Sequence, residues 1–81
     1  MMPQVELNYF AQLREQANRG AERVETDADS LGTLYAQLQA RHGFTLPAST
    51  LRVAVNERFC GWDHPLQDGD TVVFIPPVNG G

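Results

Sequence analysis

Eighty-one residues make one small domain, which buries only about 60–65% of the surface its unfolded chain exposes and leaves little room for an enclosed active site. A formal charge of −4 argues against nucleic acid or an anionic membrane as the main partner and makes a basic protein surface the natural complement. All six basic residues are arginine, and the one cysteine has no partner for an internal disulfide, so a cytoplasmic protein is expected.

The start, Met1-Met2-Pro3-Gln4-Val5-Glu6, lacks the basic flank and long apolar run of a signal peptide or membrane span. Residues 4–10 alternate, with Val5, Leu7 and Tyr9 on one face and Gln4, Glu6 and Asn8 on the other, the period of a half-buried strand. Phe10, Leu13, Arg14 and Ala17 then fall on one helical stripe, with Gly20 as a stop, which predicts a short helix with Phe10 on its core side. Val24 between charged neighbours marks a second strand over residues 21–26.

Ser30 is placed to cap the main helix, whose core stripe is Leu31, Leu34, Tyr35 and Leu38 and which ends near His42-Gly43. A loop holding Pro47 leads to the alternation of Leu51, Val53 and Val55, and Asn56-Glu57 turns the chain into a short arm, Arg58 to Trp62. Cys60 in that arm reads as an apolar filler. Asp63-His64-Pro65-Leu66 and Asp68-Gly69-Asp70 have turn chemistry. Their acids do not follow a calcium-loop spacing, so a solvated turn is expected. No zinc motif, phosphate loop or hydrolytic triad is present, so no metal is assigned and the chain is not expected to be an enzyme on its own.

The final strand, Thr71-Val72-Val73-Phe74-Ile75, is apolar on both faces, and one helix layer covers only one of them. Phe74, Pro76 and Pro77 are therefore expected at a partner interface, with Val78 and Asn79 continuing it. The two prolines end the ladder and send the chain outward. Residues 1–77 are expected as the domain and 78–81 as a flexible tail, reaching about 13–14 Å at full extension. Gly80-Gly81 closes the sequence. Without Cβ atoms such an end threads a narrow cleft and exposes its terminal carbonyl.

The order strand, helix, strand, helix, strand, short strand, strand predicts an α+β fold. Its mixed sheet has the first and last strands as central parallel neighbours and one main helix packed across it, the β-grasp arrangement. Tyr9-Phe10-Ala11-Gln12-Leu13-Arg14-Glu15, Ala54-Val55-Asn56, and the run from Asp63-His64-Pro65-Leu66 to Phe74-Ile75-Pro76-Pro77-Val78-Asn79-Gly80-Gly81 together resemble the small subunits of molybdopterin synthase over the whole length. The resemblance implies a ubiquitin-like sulfur carrier in molybdenum cofactor biosynthesis. Gly81, presented with Gly80, would be adenylated by an E1-like enzyme that uses ATP and then converted to a thiocarboxylate. No cofactor would be bound by the chain itself. The large subunit would hold the active site and take the sulfur for the dithiolene of molybdopterin. A thiamine-type sulfur carrier, a ubiquitin-like protein modifier and a plain binding module remain as alternatives.

Overall fold

The computed structural model describes residues 2–77. Strand β1 (Gln4–Tyr9) is followed by helix α1 (Ala11–Ala17), strand β2 (Ala21–Glu25) and the main helix α2 (Leu31–His42). Strands β3 (Arg52–Val55), β4 (Arg58–Cys60) and β5 (Thr71–Ile75) complete a single sheet of order β2-β1-β5-β3-β4. The central pair β1 and β5 is parallel, while β1 with β2, β5 with β3 and β3 with β4 are antiparallel. This is the mixed β-grasp sheet that the order of elements predicts.

One face of the sheet carries the core. Alternation sends Val5, Leu7 and Tyr9 of β1, Val53 and Val55 of β3, and Val72 and Phe74 of β5 against Leu31, Leu34, Tyr35 and Leu38 of α2. Leu13 and Ala17 of α1 join the same cluster. Burying each large aliphatic or aromatic side chain contributes about 1.5–3 kcal/mol, so these inward residues dominate the stability of the domain.

Both ends of α2 are closed by identifiable partners. The Ser30 hydroxyl accepts from the Thr33 N–H at 3.3 Å, and Gly43, at φ 72°, donates its N–H to the Gln39 carbonyl at 2.8 Å. Two further first-turn donors are met by the loop after β4, Leu31 N–H on the His64 carbonyl at 3.1 Å and Gly32 N–H on the Trp62 carbonyl at 2.8 Å. A Cβ on Gly32 would lie 3.4 Å from that Trp62 oxygen. That is ordinary van der Waals contact, so the space beside Trp62 does not require a glycine there.

The Asp68-Gly69-Asp70 segment corrects the expectation of a solvated turn. Asp70 is buried; its carboxylate accepts from Asn56 Nδ2 and from the Gln67 N–H, both at 2.9 Å. Its carbonyl accepts from the Glu6 N–H at 2.9 Å, and Asp68 Oδ1 accepts from the Gln4 N–H at 2.8 Å. Asp68 thus supplies a side-chain acceptor at the start of β1, while the buried Asp70 carboxylate ties the turn to Asn56.

Four residues other than glycine adopt left-handed backbone: Ala11 (φ 53°), Asn18 (φ 60°), Asn56 (φ 52°) and Glu57 (φ 72°). Asn18 caps the end of α1. Asn56 and Glu57 form the two-residue turn between β3 and β4, where positive φ at both positions matches the strand twist. Ala11 stands at the start of α1 with no such role, and an L-residue there costs about 1–2 kcal/mol.

Candidate functional site

Strand β5 lies in the middle of the sheet, hydrogen-bonded on both edges, and delivers the chain to Pro76 and Pro77. Pro76 is half-buried and Pro77 exposed, so the chain leaves the domain where two ladder donors are missing. The expectations placed on Val78, Asn79, Gly80 and Gly81, including their flexibility, lie outside the described residues.

Phe74 is not at an interface. Its side chain is 0% exposed and packs among Tyr9, Tyr35 and Trp62, with ring centroids 6.5, 5.3 and 6.0 Å away. The parity of β5 explains the correction. Val72 and Phe74 point toward α2, while Thr71, Val73 and Ile75 take the opposite face and stay half-buried. A doubly apolar strand does have an uncovered face, but Phe74 is on the covered one.

The open face is built across four strands. Pairing sets Asn8, Val73, Ala54 and Phe59 in one row, and Ile75 beside Arg52 in the next. Phe59 is 65% exposed on the three-residue edge strand β4, with the Arg52 guanidinium carbon 5.8 Å from its ring centre. That distance suits a cation–π contact. Phe10 is 51% exposed and has extended backbone, so continuing the Tyr9–Phe74 register by one residue sets it beside Ile75. Phe10 therefore belongs to the open face and not to the core stripe of α1, because the alternation of β1 runs one residue past the strand.

The result is an apolar patch of Phe10, Val73, Ile75 and Phe59 on the face of β5 that ends at Pro76 and Pro77. The sequence carried a signal for it. Phe59 pairs with Ala54, an outward position of β3, and Phe10 follows inward Tyr9 in a period-2 run.

The titratable groups of the covered face do structural work. Glu22 Oε2 accepts from the Tyr9 hydroxyl at 2.5 Å and from His42 Nε2 at 2.6 Å, and Oε1 lies 3.6 Å from Arg19 Nη1. Only 7% of the Glu22 side chain is exposed. Burial pushes its carboxyl upward, but the hydrogen bonds from Tyr9 and His42 outweigh that and hold it below the ordinary value of 4.5. Burial, then the Glu22 carboxylate, push the Tyr9 phenol upward. The cluster fastens the end of α2 to β1 and β2.

A lowered folded-state pKa gives stability that is complete above the unfolded value and lost as pH falls through the folded one. The melting temperature is therefore expected to fall as the pH drops below 4.5, with Glu22→Gln flattening this acid limb. At neutral pH Glu22→Ala strands two donors, at about 1–3 kcal/mol for each one left buried and unpaired. Thermal melts across pH check both, and an unchanged acid limb in Glu22→Gln would remove Glu22 as its cause.

Cys60 is half-buried, packs on the core and lies with Sγ 4.0 Å from the Val53 carbonyl. Burial raises its thiol, with Asp63 and Asp70 adding to the effect against a backbone hydrogen bond. A thiol held neutral is a poor nucleophile. Among the described residues no cluster of three or more His, Cys, Asp or Glu is arranged to hold a metal ion, and no helix is long and apolar enough to cross a membrane.

Comparison with known proteins agrees with this geometry. The molybdopterin synthase sulfur carrier subunit of Escherichia coli (strain K12) is 38% identical over 80 residues, 95% of this chain and 99% of the relative. SAMP1 from Haloferax volcanii superposes with a TM-score of 0.77 at 26% identity, covering 96% of this chain and 99% of its own. A protein–protein complex of subunits 1 and 2 of the molybdopterin-converting factor from Helicobacter pylori contains a chain of TM-score 0.67 and 28% identity, covering 96% and 99%. The model of the ThiS family matches residues 7–81, and with the parallel β1–β5 core and the diglycine end that match makes this chain a member of the ThiS family.

Proposed function

We propose that the chain is the sulfur carrier subunit of a two-subunit molybdopterin synthase, with the Gly81 carbonyl carbon as the sulfur-bearing atom and the active site on the large subunit. The observation that carries the reading is where β5 brings the chain. A central strand ends at two prolines beside an exposed apolar patch, in a chain similar along its length to a sulfur carrier subunit.

The chemistry follows from the terminal group. A C-terminal carboxylate with a pKa near ~3.5 is ionised at neutral pH, and its charge delocalises into the carbonyl and repels nucleophiles. An E1-like partner removes the obstacle with ATP. A carboxylate oxygen attacks the α-phosphorus, pyrophosphate leaves, and an acyl adenylate results. Sulfide-level sulfur, written as HS−, then attacks the acyl carbon, the C–O bond to AMP breaks, AMP departs and the thiocarboxylate remains. The completed thiocarboxylate is a soft nucleophile, and docking on the large subunit raises its concentration at the acceptor, cyclic pyranopterin monophosphate.

Within this reading the open face seats the large subunit. The similar Helicobacter pylori chain occurs in a complex of subunits 1 and 2, which supports a partner of that kind. Aromatic side chains are frequent anchors of such interfaces. Phe59→Asp is expected to weaken the complex by about 2 kcal/mol, roughly thirtyfold, while folding stability stays within about 0.5 kcal/mol. Titration calorimetry beside a melting curve measures both, and undiminished affinity in a folded variant would take the partner off this face.

The test of the function is mass spectrometry of the chain after incubation with the activating enzyme, ATP and a sulfur donor. The expected product gains the mass difference of one sulfur for one oxygen at Gly81 and converts the precursor when the large subunit is added. Amide conjugates to lysines of other proteins in place of that product would point instead to a protein modifier.

A further inference from the structure

We propose that the free edge of β2 pairs antiparallel with the β2 edge of a second copy of this chain, joining two sheets in a weak, salt-sensitive dimer. The proposal stands on the edge itself and does not depend on the sulfur-carrier reading. Strand β2 is the last on its side of the sheet. The Tyr9 N–H donates to the Gly20 carbonyl at 2.9 Å and the Thr26 N–H to the Pro3 carbonyl at 3.0 Å. Between these bonds Leu7 pairs with Glu22 and Val5 with Val24, so Glu22 and Val24 turn their backbone groups toward β1. Ala21, Arg23 and Glu25 therefore turn theirs outward, where no strand meets them among the described residues.

Proteins guard such an edge with proline, bulges, shortness or charge. Strand β2 has five residues, no proline and an unbroken register with β1, whereas β4 at the other edge has three residues. Its charge is of both signs. Arg23 and Glu25 are exposed, and among the described residues neither lies in an ion pair. An antiparallel pair centred on Val24 sets Arg23 of each copy directly opposite Glu25 of the other, so each copy supplies the charge its counterpart lacks. These are also outward-turned residues, so the same register gives backbone hydrogen bonds in both pairs. Centring on Arg23 instead would set two guanidinium groups opposite each other, which is unfavourable.

The two-fold axis of this pairing runs perpendicular to the sheet, so both α2 helices lie on one side and the two β5 strands run in opposite directions. Pro76 and Pro77 of the two copies then stand at opposite ends of the joined sheet, and the open face of each copy stays uncovered. Val24 meets its own counterpart on the α2 side. It and its neighbours Leu34 and Leu38 are already buried within one copy, so little apolar surface is gained. Association that rests on backbone hydrogen bonds and exposed ion pairs is weak and screened by salt.

Sedimentation velocity of the full chain from about 10 μM to about 1 mM is expected to pass from monomer to dimer. Its Kd is expected to rise about fivefold between roughly 0.05 M and roughly 0.5 M salt. Arg23→Glu and Glu25→Arg each put like charges in both pairs and are expected to weaken the dimer about tenfold. Mixed together, the two variants are complementary, and a mixed dimer is expected to return. Arg23→Pro removes an outward donor without touching the bonds to β1 and is expected to weaken self-association as the reversals do. In the natural chain, which needs no substitution, amide exchange at Arg23 and Glu25 is expected to slow several-fold as concentration rises. Binding of the large subunit is expected to be unchanged in every variant. A natural chain that stays monomeric at about 1 mM, a dimer indifferent to either reversal, or folded variants that remain monomeric when mixed would overturn the proposal. So would loss of large-subunit binding in a folded Arg23→Glu protein, which would give this edge to that partner.

Discussion

Deletion of Gly81 is expected to abolish both adenylation and sulfur transfer while changing folding stability by no more than about 0.5 kcal/mol. The two halves of this expectation rest on different residues. Among the described residues, the core cluster runs from Val5 to Phe74, and β5 ends at Ile75. In the sulfur-carrier reading, by contrast, the length of the chain sets how far the Gly81 carbonyl reaches. Removing one residue withdraws it by up to ~3.3–3.6 Å, whereas a misplacement of about 1 Å already costs on the order of a hundredfold in rate. A C-terminal tag is expected to give the same loss, because an amide replaces the carboxylate. An N-terminal tag, at the other end of the sheet's central strand β1, is expected to leave activity intact. ATP–pyrophosphate exchange with the activating enzyme, alongside thermal melts, checks each variant. Normal exchange by the truncated chain would reduce the protein to a binding module.

The order of elements is legible because each has a local signal: alternation for β1 and β3, Ser30 and the Leu31-Leu34-Tyr35-Leu38 stripe for α2, Asn56-Glu57 for the hairpin. The parallel pairing of β1 with β5 follows from the order and is borne out. What local signals do not supply is facing. Strand β5 is apolar at successive positions, so its composition does not say which residues meet α2. That is set by its register with β1, where Tyr9 pairs with Phe74. Phe10 departs from its helical spacing for a related reason. Its distance in sequence from Leu13 and Ala17 fits a helix, but the left-handed turn at Ala11 leaves it in the strand's period. The cluster of Tyr9, Glu22 and His42 joins three elements and leaves no local pattern. Asp70 looks like turn chemistry because its partner Asn56 is fourteen positions away in the chain.

The corrected facing of β5 changes what a charge at each of its last two residues should do. Phe74→Asp is expected to unfold the domain, since it replaces a fully buried ring that packs on Tyr9, Tyr35 and Trp62 by a carboxylate with no donor prepared for it. Removing a buried phenylalanine costs about 3–5 kcal/mol before the charge is counted, and desolvating an unpaired carboxylate adds to it. Against the ~5–15 kcal/mol that holds a typical domain together, the folded state has little left. Ile75→Asp lies on the open face, where a half-buried aspartate keeps access to water and to Arg52, its neighbour in the β3 pairing. This variant is expected to stay folded and to bind the large subunit at least tenfold more weakly, through lost apolar contact beside the tail. Circular dichroism melts and binding titrations of the two variants distinguish the faces. A Phe74→Asp protein that melts like the natural chain yet binds poorly would return Phe74 to the interface and refute its place in the core.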